Sequence, residues 1–342
     1  MNPHRHRVWL VALAGGSLLL PACATSATTQ APQTNPAAGF VKAWSYVGKQ
    51  PPPFWWHDLV DVKGAWDKGA TGDGRTVAIV DTGVLKPHED LRDANTLEGM
   101  QFCTTSNPSD TADTNGHGTQ LAGIVLGRVP TLAHSTRGVA PDAKLIPIKV
   151  VCAVTTTPAV AQGVQKATST TPDVILMALG AWPSDTDLGG NDVDSLMATL
   201  VSVNPNILFV VASVWDLTYF PRPEWTTKYG NVIVVAGMTV YDMKEVPFNE
   251  KRGDIWAPAQ NVETASISPD PKDPKKHAQF LMPGTSAASA IVAGCAALIK
   301  QMNLAYTGKA LKDALTAAVV PQPDLPGGRL KCSMAFLSSR AR

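Results

Sequence analysis

Residues 76–83 read TVAIVDTG, a run of consecutive apolar side chains closed by an acid and a glycine. A strand with one wet face alternates apolar with polar. This one does not, so both faces are covered, as in a parallel sheet packed between helices. KLIPIKVV (144–151), DVILMAL (173–179), ILFVVAS (207–213) and NVIVVAG (231–237) are of the same kind. The intervening 153–170 and 187–203 have room for the crossover helices that parallel strands require. Strand and helix alternating at this spacing predict one open α/β domain. In such sheets function gathers at the carboxyl ends of strands, where Asp81 falls. Taken alone, Asp81 reads equally as an acid that caps the next turn.

Outward from Asp81, TADTNGHGTQLAGIVLG (111–127) is the next polar-to-apolar junction. Asn115 and Gly116 form a turn, and His117 opens a segment whose Leu121, Ile124 and Val125 have helical spacing. A histidine here is either a packed or capping residue or a base. The chain has neither HExxH nor paired CxxC, so no zinc signature is present. Scattered Asp and Asn residues leave a structural calcium open, with no EF-hand loop to indicate one. No cofactor is implied.

The third junction is GTSAASAIVAG (284–294), which feeds the apolar IVAGCAALI. Small residues keep this predicted helix N-terminus uncluttered. Its free N–H groups and dipole favour negative charge near Ser286. A serine there is usually a cap. One aspartate, one histidine and one serine, each beside glycine at an element end, are also the parts list for acyl transfer.

The beginning of the chain reads differently. MNPHRHRVWLVALAGGSLLLPAC has a basic start, an apolar run from Val8 to Leu20, and small residues before Cys23. That is a secretory signal over residues 1–22, too short and too interrupted for a spanning helix of roughly 18 or more apolar residues. Leu20-Pro21-Ala22-Cys23 looks like a bacterial lipobox, with Cys23 the lipidated residue. Residues 23–52, rich in Thr, Ala and Pro, read as a tether, and 53–342 as the folded domain. Removing Arg5 and Arg7 takes Lys and Arg from 29 to 27 against 28 acidic residues, so nothing suggests a nucleic-acid partner. Cys103, Cys152, Cys295 and Cys332 then sit in an exported chain that permits disulfides, with three full pairings open.

At its three junctions the chain resembles the subtilisin-like serine peptidases, the subtilases, over Trp56 to Phe336. VAIVDTGVLKPHEDL (77–91), NGHGTQLAGI (115–124) and GTSAASAIVAG match that family's aspartate, histidine and serine segments in the family's order. GVAPDAKLIPIKV (138–150) and GDIWAPAQNV (253–262) match two supporting segments. The resemblance implies a three-layer fold with a central, mostly parallel sheet flanked by helices, and a serine endopeptidase. Asp81 would orient His117, His117 would take the proton from Ser286, and an acyl-enzyme would form on Ser286. LMALG (176–180) would line the cleft, Ala178, Leu179 and Gly180 pairing with an extended peptide. The family's second and third strands are parallel neighbours. EGMQFC (98–103) and KLIPIKVVC (144–152) hold those places, which implies a Cys103–Cys152 disulfide; a Cys295–Cys332 bond is a weaker expectation.

The departures from the family pattern are specific. VVASVWD (210–216) puts Asp216 where the family has the asparagine that stabilises the oxyanion, and Trp215 where it has glycine. Some relatives, the sedolisins among them, also place an aspartate there. Ala287, Ala290 and Ile291 replace Met, Pro and His, the proline being expected in the first helical turn, so Ala290 predicts a less pre-organised helix start. Gln120-Leu121 stands where His-Val is usual, predicting altered hydrogen bonding beside the histidine. Residues 24–54 are too few for the folded prodomain of exported relatives. The resulting expectation is a monomeric, exported, lipid-anchored endopeptidase of protein or peptide substrates. It attaches to the membrane by the N-terminal lipid, with the outer membrane or the periplasm-facing envelope as its place. The alternative is a weakly active or inactive domain acting as a peptide-binding or scaffolding lipoprotein.

Overall fold

The computed structural model describes residues 54–91, 95–103, 107–128, 137–152, 157–179, 193–213, 225–239, 253–267 and 278–336. The signal segment, Cys23, the tether, Gly180, Trp215 and Asp216 lie outside the described residues.

The apolar runs form the expected strands. β1 (Thr76–Asp81) is followed by the short β2 (Asn95–Thr96) and β3 (Met100–Gln101) and by β4 (Lys144–Lys149). β5 (Val174–Met177), β6 (Leu208–Ala212), β7 (Val232–Met238) and β8 (Ile255–Pro258) continue the series. They are joined in the order β8-β7-β6-β5-β1-β4, all parallel, with β2 and β3 on the outer edge of β4. Two antiparallel hairpins complete the strands. β9 (Val262–Ser266) and β10 (Ala278–Met282) stand apart, while β11 (Val319–Gln322) and β12 (Leu325–Leu330) close the far edge beyond β8.

Alternation along β1 shows why its sequence has no polar phase. Val77 and Ile79 enter one buried cluster with α3 (His117–Leu126) and α7 (Thr285–Met302). Ala78 and Val80 enter the other, with Val160 and Val164 of α4 (Thr157–Ser169) and Leu200 and Val201 of α5 (Val193–Val203). The sheet is therefore the middle of three layers. α7 is long and apolar enough to cross a membrane, yet its residues from Ala287 to Ile299 are buried, so its composition is that of a core helix. The short α6 (Trp225–Lys228) precedes β7, and α8 (Gly308–Ala317) packs on α7.

Before β1, α1 (Trp55–Val60) and α2 (Val62–Trp66) dock an aromatic group on the domain. Trp55 donates its indole N–H to the Asn261 carbonyl at 3.2 Å, and Trp56 donates to Glu263 Oε2 at 3.1 Å. The Arg137 guanidinium lies 3.6 Å from the Trp66 ring centroid. Burial in this group pushes the His57 imidazole down to about 4.

The Cys103–Cys152 disulfide is formed, with its Cα atoms 5.6 Å apart, just beyond the ends of the paired strands β3 and β4. Cys295 and Cys332 differ from expectation: they are fully buried and unbonded thiols. Burial pushes the Cys295 thiol well up, and the neighbouring Cys332 thiol adds to it. Cys295 lies on α7 and Cys332 near the end of the described chain, and nothing in the sequence decided whether they bond.

Candidate active site

Asp81 is the last residue of β1 and wholly buried. Its Oδ1 accepts the Thr82 backbone N–H at 2.8 Å and lies 2.8 Å from His117 Nδ1. Its Oδ2 is buried with no hydrogen-bond partner among the described residues. His117 is the first residue of α3, and its side chain is 14% exposed. Burial alone would push the imidazole down. The Asp81 carboxylate, by charge and by hydrogen bond, outweighs this with help from the charge of Asp113, and the net pKa is raised above the ordinary histidine value.

The start of α3 lacks a side-chain cap of the usual kind, because its N-cap is Gly116. Other groups supply acceptors for its unpaired N–H groups. Thr82 Oγ1 accepts from Gly118 N at 2.8 Å, and Asn115 Oδ1 from His117 N at 3.2 Å. Asp113 does most. Its Oδ1 accepts from the Asn115 and Gly116 N–H groups, each at 2.9 Å. Its Oδ2 accepts from Thr119 N at 2.9 Å and from the Thr119 hydroxyl at 2.6 Å. Neither Asp113 nor Thr82 was singled out from sequence. Asp113 lies three residues before the N-cap Gly116, outside the position where an acid marks a helix start, so its sequence carried no signal for this role.

Gln120 does not act on His117. Its side-chain amide donates to Ser266 Oγ at 3.1 Å, while its backbone carbonyl accepts from Thr264 Oγ1; both tie α3 to β9, and only the first depends on the side chain. Substituting the usual histidine thus alters a helix–hairpin contact.

The third junction begins at Gly284, whose φ of 90° and ψ of 168° suit glycine alone; a Cβ there would meet nothing within 4 Å, so backbone conformation is what requires it. Thr285 donates its hydroxyl to the Ser213 carbonyl at 2.8 Å, joining the first turn of α7 to the end of β6. Ser286 follows, part-exposed, where helix N–H groups lack intrahelical partners. Its hydroxyl donates to the Ala178 carbonyl at 3.3 Å rather than to His117. Ala178 and Leu179 directly follow β5, so the structure brings the serine against the expected substrate edge. Ala287, Ala290 and Ile291 are all fully buried. Ala290 corrects an expectation. With Thr285 as the first residue of α7, Ala290 is the sixth and lies past the first turn. An alanine there keeps an N–H for the carbonyl four residues back, which a proline would remove.

Asp81, His117, Ala178 and Ser286 therefore gather at the carboxyl ends of β1 and β5 and the amino ends of α3 and α7. A buried, charge-supported imidazole and a hydroxyl at a helix start are suited to taking a proton from an alcohol and stabilising the negative charge that follows. Among the described residues no group of three or more His, Cys, Asp or Glu is arranged to hold a metal ion.

Comparison with known proteins agrees with this geometry. Residues 72–330 match the model of the Subtilase family. Subtilisin Savinase from Lederbergia lenta is 31% identical over 282 residues, 81% of this chain and 95% of that protein. The major intracellular serine protease of Bacillus subtilis (strain 168) is 29% identical, covering 76% of this chain and 79% of its own. Among solved structures, a protease from Pseudoalteromonas arctica PAMC 21717 superposes with a TM-score of 0.67 at 25% identity, covering 81% of this chain and 93% of that one. MycP1 with its N-terminal propeptide removed superposes at 0.66 with 21% identity over 82% of this chain and 96% of its own, a likeness of fold.

Proposed function

We propose, from the premise that this chain belongs to the subtilase family, that it is a serine endopeptidase with Ser286 as nucleophile, His117 as base and Asp81 as the group that orients it. The observation that carries the reading is the 2.8 Å Asp81–His117 hydrogen bond at the end of β1, in the same molecule as a part-exposed serine in the first turn of α7. His117 takes the proton of Ser286 Oγ as that oxygen attacks a peptide carbonyl. It then returns the proton to the leaving amine, and water releases the acyl group by the same route. For this to occur, Ser286 Oγ must leave the Ala178 carbonyl and turn to His117. Hydrogen bonds of this kind often tighten only when substrate is bound. The extended peptide would lie along Ala178 and Leu179.

Labelling with a fluorophosphonate between pH 5 and 8 tests the reading. Rapid labelling that is abolished in Ser286→Ala is expected; no Ser286-dependent labelling at any pH leaves the peptide-binding alternative. We further assign the oxyanion position to Asp216, on the family pattern. An ionised carboxylate there offers no donor and repels the developing charge, whereas an amide donor is worth about 10²–10³ in rate. Asp216→Asn is therefore expected to raise the labelling rate at neutral pH by roughly tenfold. An unchanged rate would move the oxyanion site elsewhere.

A further inference from the structure

We propose that Asp113 is a positioning residue for the reaction, a second buried carboxylate that fixes the first turn of α3 and holds negative charge near His117 when the imidazole becomes a cation. The inference rests on the peptidase reading of the same site.

Geometry carries the first half. Four donors converge on the Asp113 carboxylate, which is 5% exposed: the N–H groups of Asn115, Gly116 and Thr119 and the Thr119 hydroxyl. A carboxylate has about four acceptor sites, so this one is filled. These donors flank His117 on both sides in the chain. The Thr119 hydroxyl also accepts from Leu85 N at 3.0 Å, in the turn that follows β1. Asp113, Thr119 and Leu85 therefore tie the turn before His117, the first helical turn and the segment after Asp81 into one body. His117 has no freedom to drift from Asp81 unless that body opens.

Charge carries the second half. The groups around His117 can be taken element by element. β1 presents Asp81, bonded to the ring. The turn before α3 presents Asp113, whose charge raises the imidazole pKa alongside that of Asp81. From β4, Lys149 sends its ammonium to the Ala112 carbonyl, and Lys144 begins the strand at its other end. On β9, packed against α3, Glu263 accepts from Trp56. On α7, Lys300 is in the last turn, held by the Leu304 and Tyr306 carbonyls. Among the described residues, Asp113 is thus the negative charge that acts on His117 besides Asp81. Four filled acceptor sites keep it from swinging to bond the ring directly, so it acts at a distance through position and charge.

Two variants of the full chain separate the two halves. Asp113→Asn keeps the shape and removes the charge, and its amide has a single acceptor oxygen for donors on two. Thr119→Val keeps the charge and cuts the tie to Leu85. Two readouts apply: the pH profile of fluorophosphonate labelling, and the titration of the His117 ring by NMR, assigned by its loss in His117→Gln. Asp113→Asn is expected to shift the His117 titration and the acid limb of labelling to lower pH, and to slow labelling at its plateau by roughly tenfold. Thr119→Val is expected to slow labelling with the titration in its wild-type place. A wild-type His117 titration in folded Asp113→Asn would overturn the proposal. If Asp113→Asn does not fold, Asp113→Glu takes its place. Slowed labelling with a retained acid limb supports the proposal, and a wild-type labelling rate overturns it. The NMR titration requires no turnover. If neither wild type nor variants label, the peptidase reading fails while the titration still decides what Asp113 does to His117.

Discussion

Asp81→Asn is expected to slow labelling of Ser286 by about 10⁴-fold while leaving the chain folded. The substitution is nearly isosteric in a buried place. Among the described residues, the two donors that reach the Asp81 carboxylate, the Thr82 N–H and His117 Nδ1, meet the same oxygen, Oδ1. An amide oxygen can sit there and keep both bonds. Its NH₂ then takes the place of Oδ2, which has no partner among the described residues. What disappears is the charge. His117 loses the stronger of the two carboxylates that outweigh the cost of its burial, so the cation formed during proton transfer becomes expensive. The pH dependence follows with a definite sign. Because the folded-state pKa is raised, wild-type labelling falls on the acid side through a value above the ordinary 6.5. In Asp81→Asn that limb moves to lower pH and the plateau is much reduced. The contribution of the pair to stability runs in the opposite direction with pH. The favourable energy of the His117–Asp81 pair is fully present below the unfolded histidine value and is lost as pH rises through the folded one. Denaturation of the variant should therefore show its deficit in acid. A loss in labelling of less than tenfold, or an unmoved acid limb, would remove Asp81 from the mechanism.

The parts of this molecule that were legible in the sequence are those where burial and backbone conformation leave few options. Five apolar runs became strands because residues such as Val77 and Ala78 face different clusters and neither position tolerates water. The two helix starts were legible because each follows a glycine held at positive φ: His117 opens α3 directly after Gly116, and Ser286 is the second residue of α7, after Gly284 and Thr285. The Cys103–Cys152 pairing followed from the family's strand order. Other parts depend on partners far along the chain. VETAS and AQFLM form the β9–β10 hairpin, yet neither has the uninterrupted apolar run that marked the central strands. Trp55 and Trp56 take their places from Asn261 and Glu263, about two hundred residues away. Asp113 sat in TADTNG, where any acid reads as turn material; its role depends on Thr119 and Leu85 closing around it. Gln120 was noticed for its difference from the family, but its direction, toward Ser266, belongs to the tertiary structure.

Gly118→Ala tests whether backbone contact sets the distance between Asp81 and His117. Helix propensity alone would favour the alanine by up to about 1 kcal/mol. Sterics reverse the sign, because a Cβ on Gly118 would lie 2.1 Å from the Gly83 carbonyl oxygen and 3.1 Å from Thr82 Oγ1. The oxygen belongs to the backbone directly after β1 and has little room to retreat. Gly83 has a φ of +101°, its own Cα side faces the Thr111 carbonyl closely enough that a Cβ there would lie 2.4 Å away, and Val84 N–H is bonded to that same carbonyl at 2.9 Å. The end of β1 is thus wedged between the segment at Thr111 and the first turn of α3. A methyl group forces that turn outward by about 1 Å, and His117, one residue before, moves with it. Misplacement on this scale costs about 10²-fold in rate, and overpacking costs about 1–3 kcal/mol in stability. The two effects separate experimentally. Labelling is measured well below the melting temperature, where the variant remains folded, and stability is measured by denaturant unfolding. A folded Gly118→Ala chain that labels at the wild-type rate would mean that α3 shifts along its axis without carrying His117 away from Asp81. In that case the Asp113–Thr119–Leu85 tie, rather than the glycine contact, sets the position of the base.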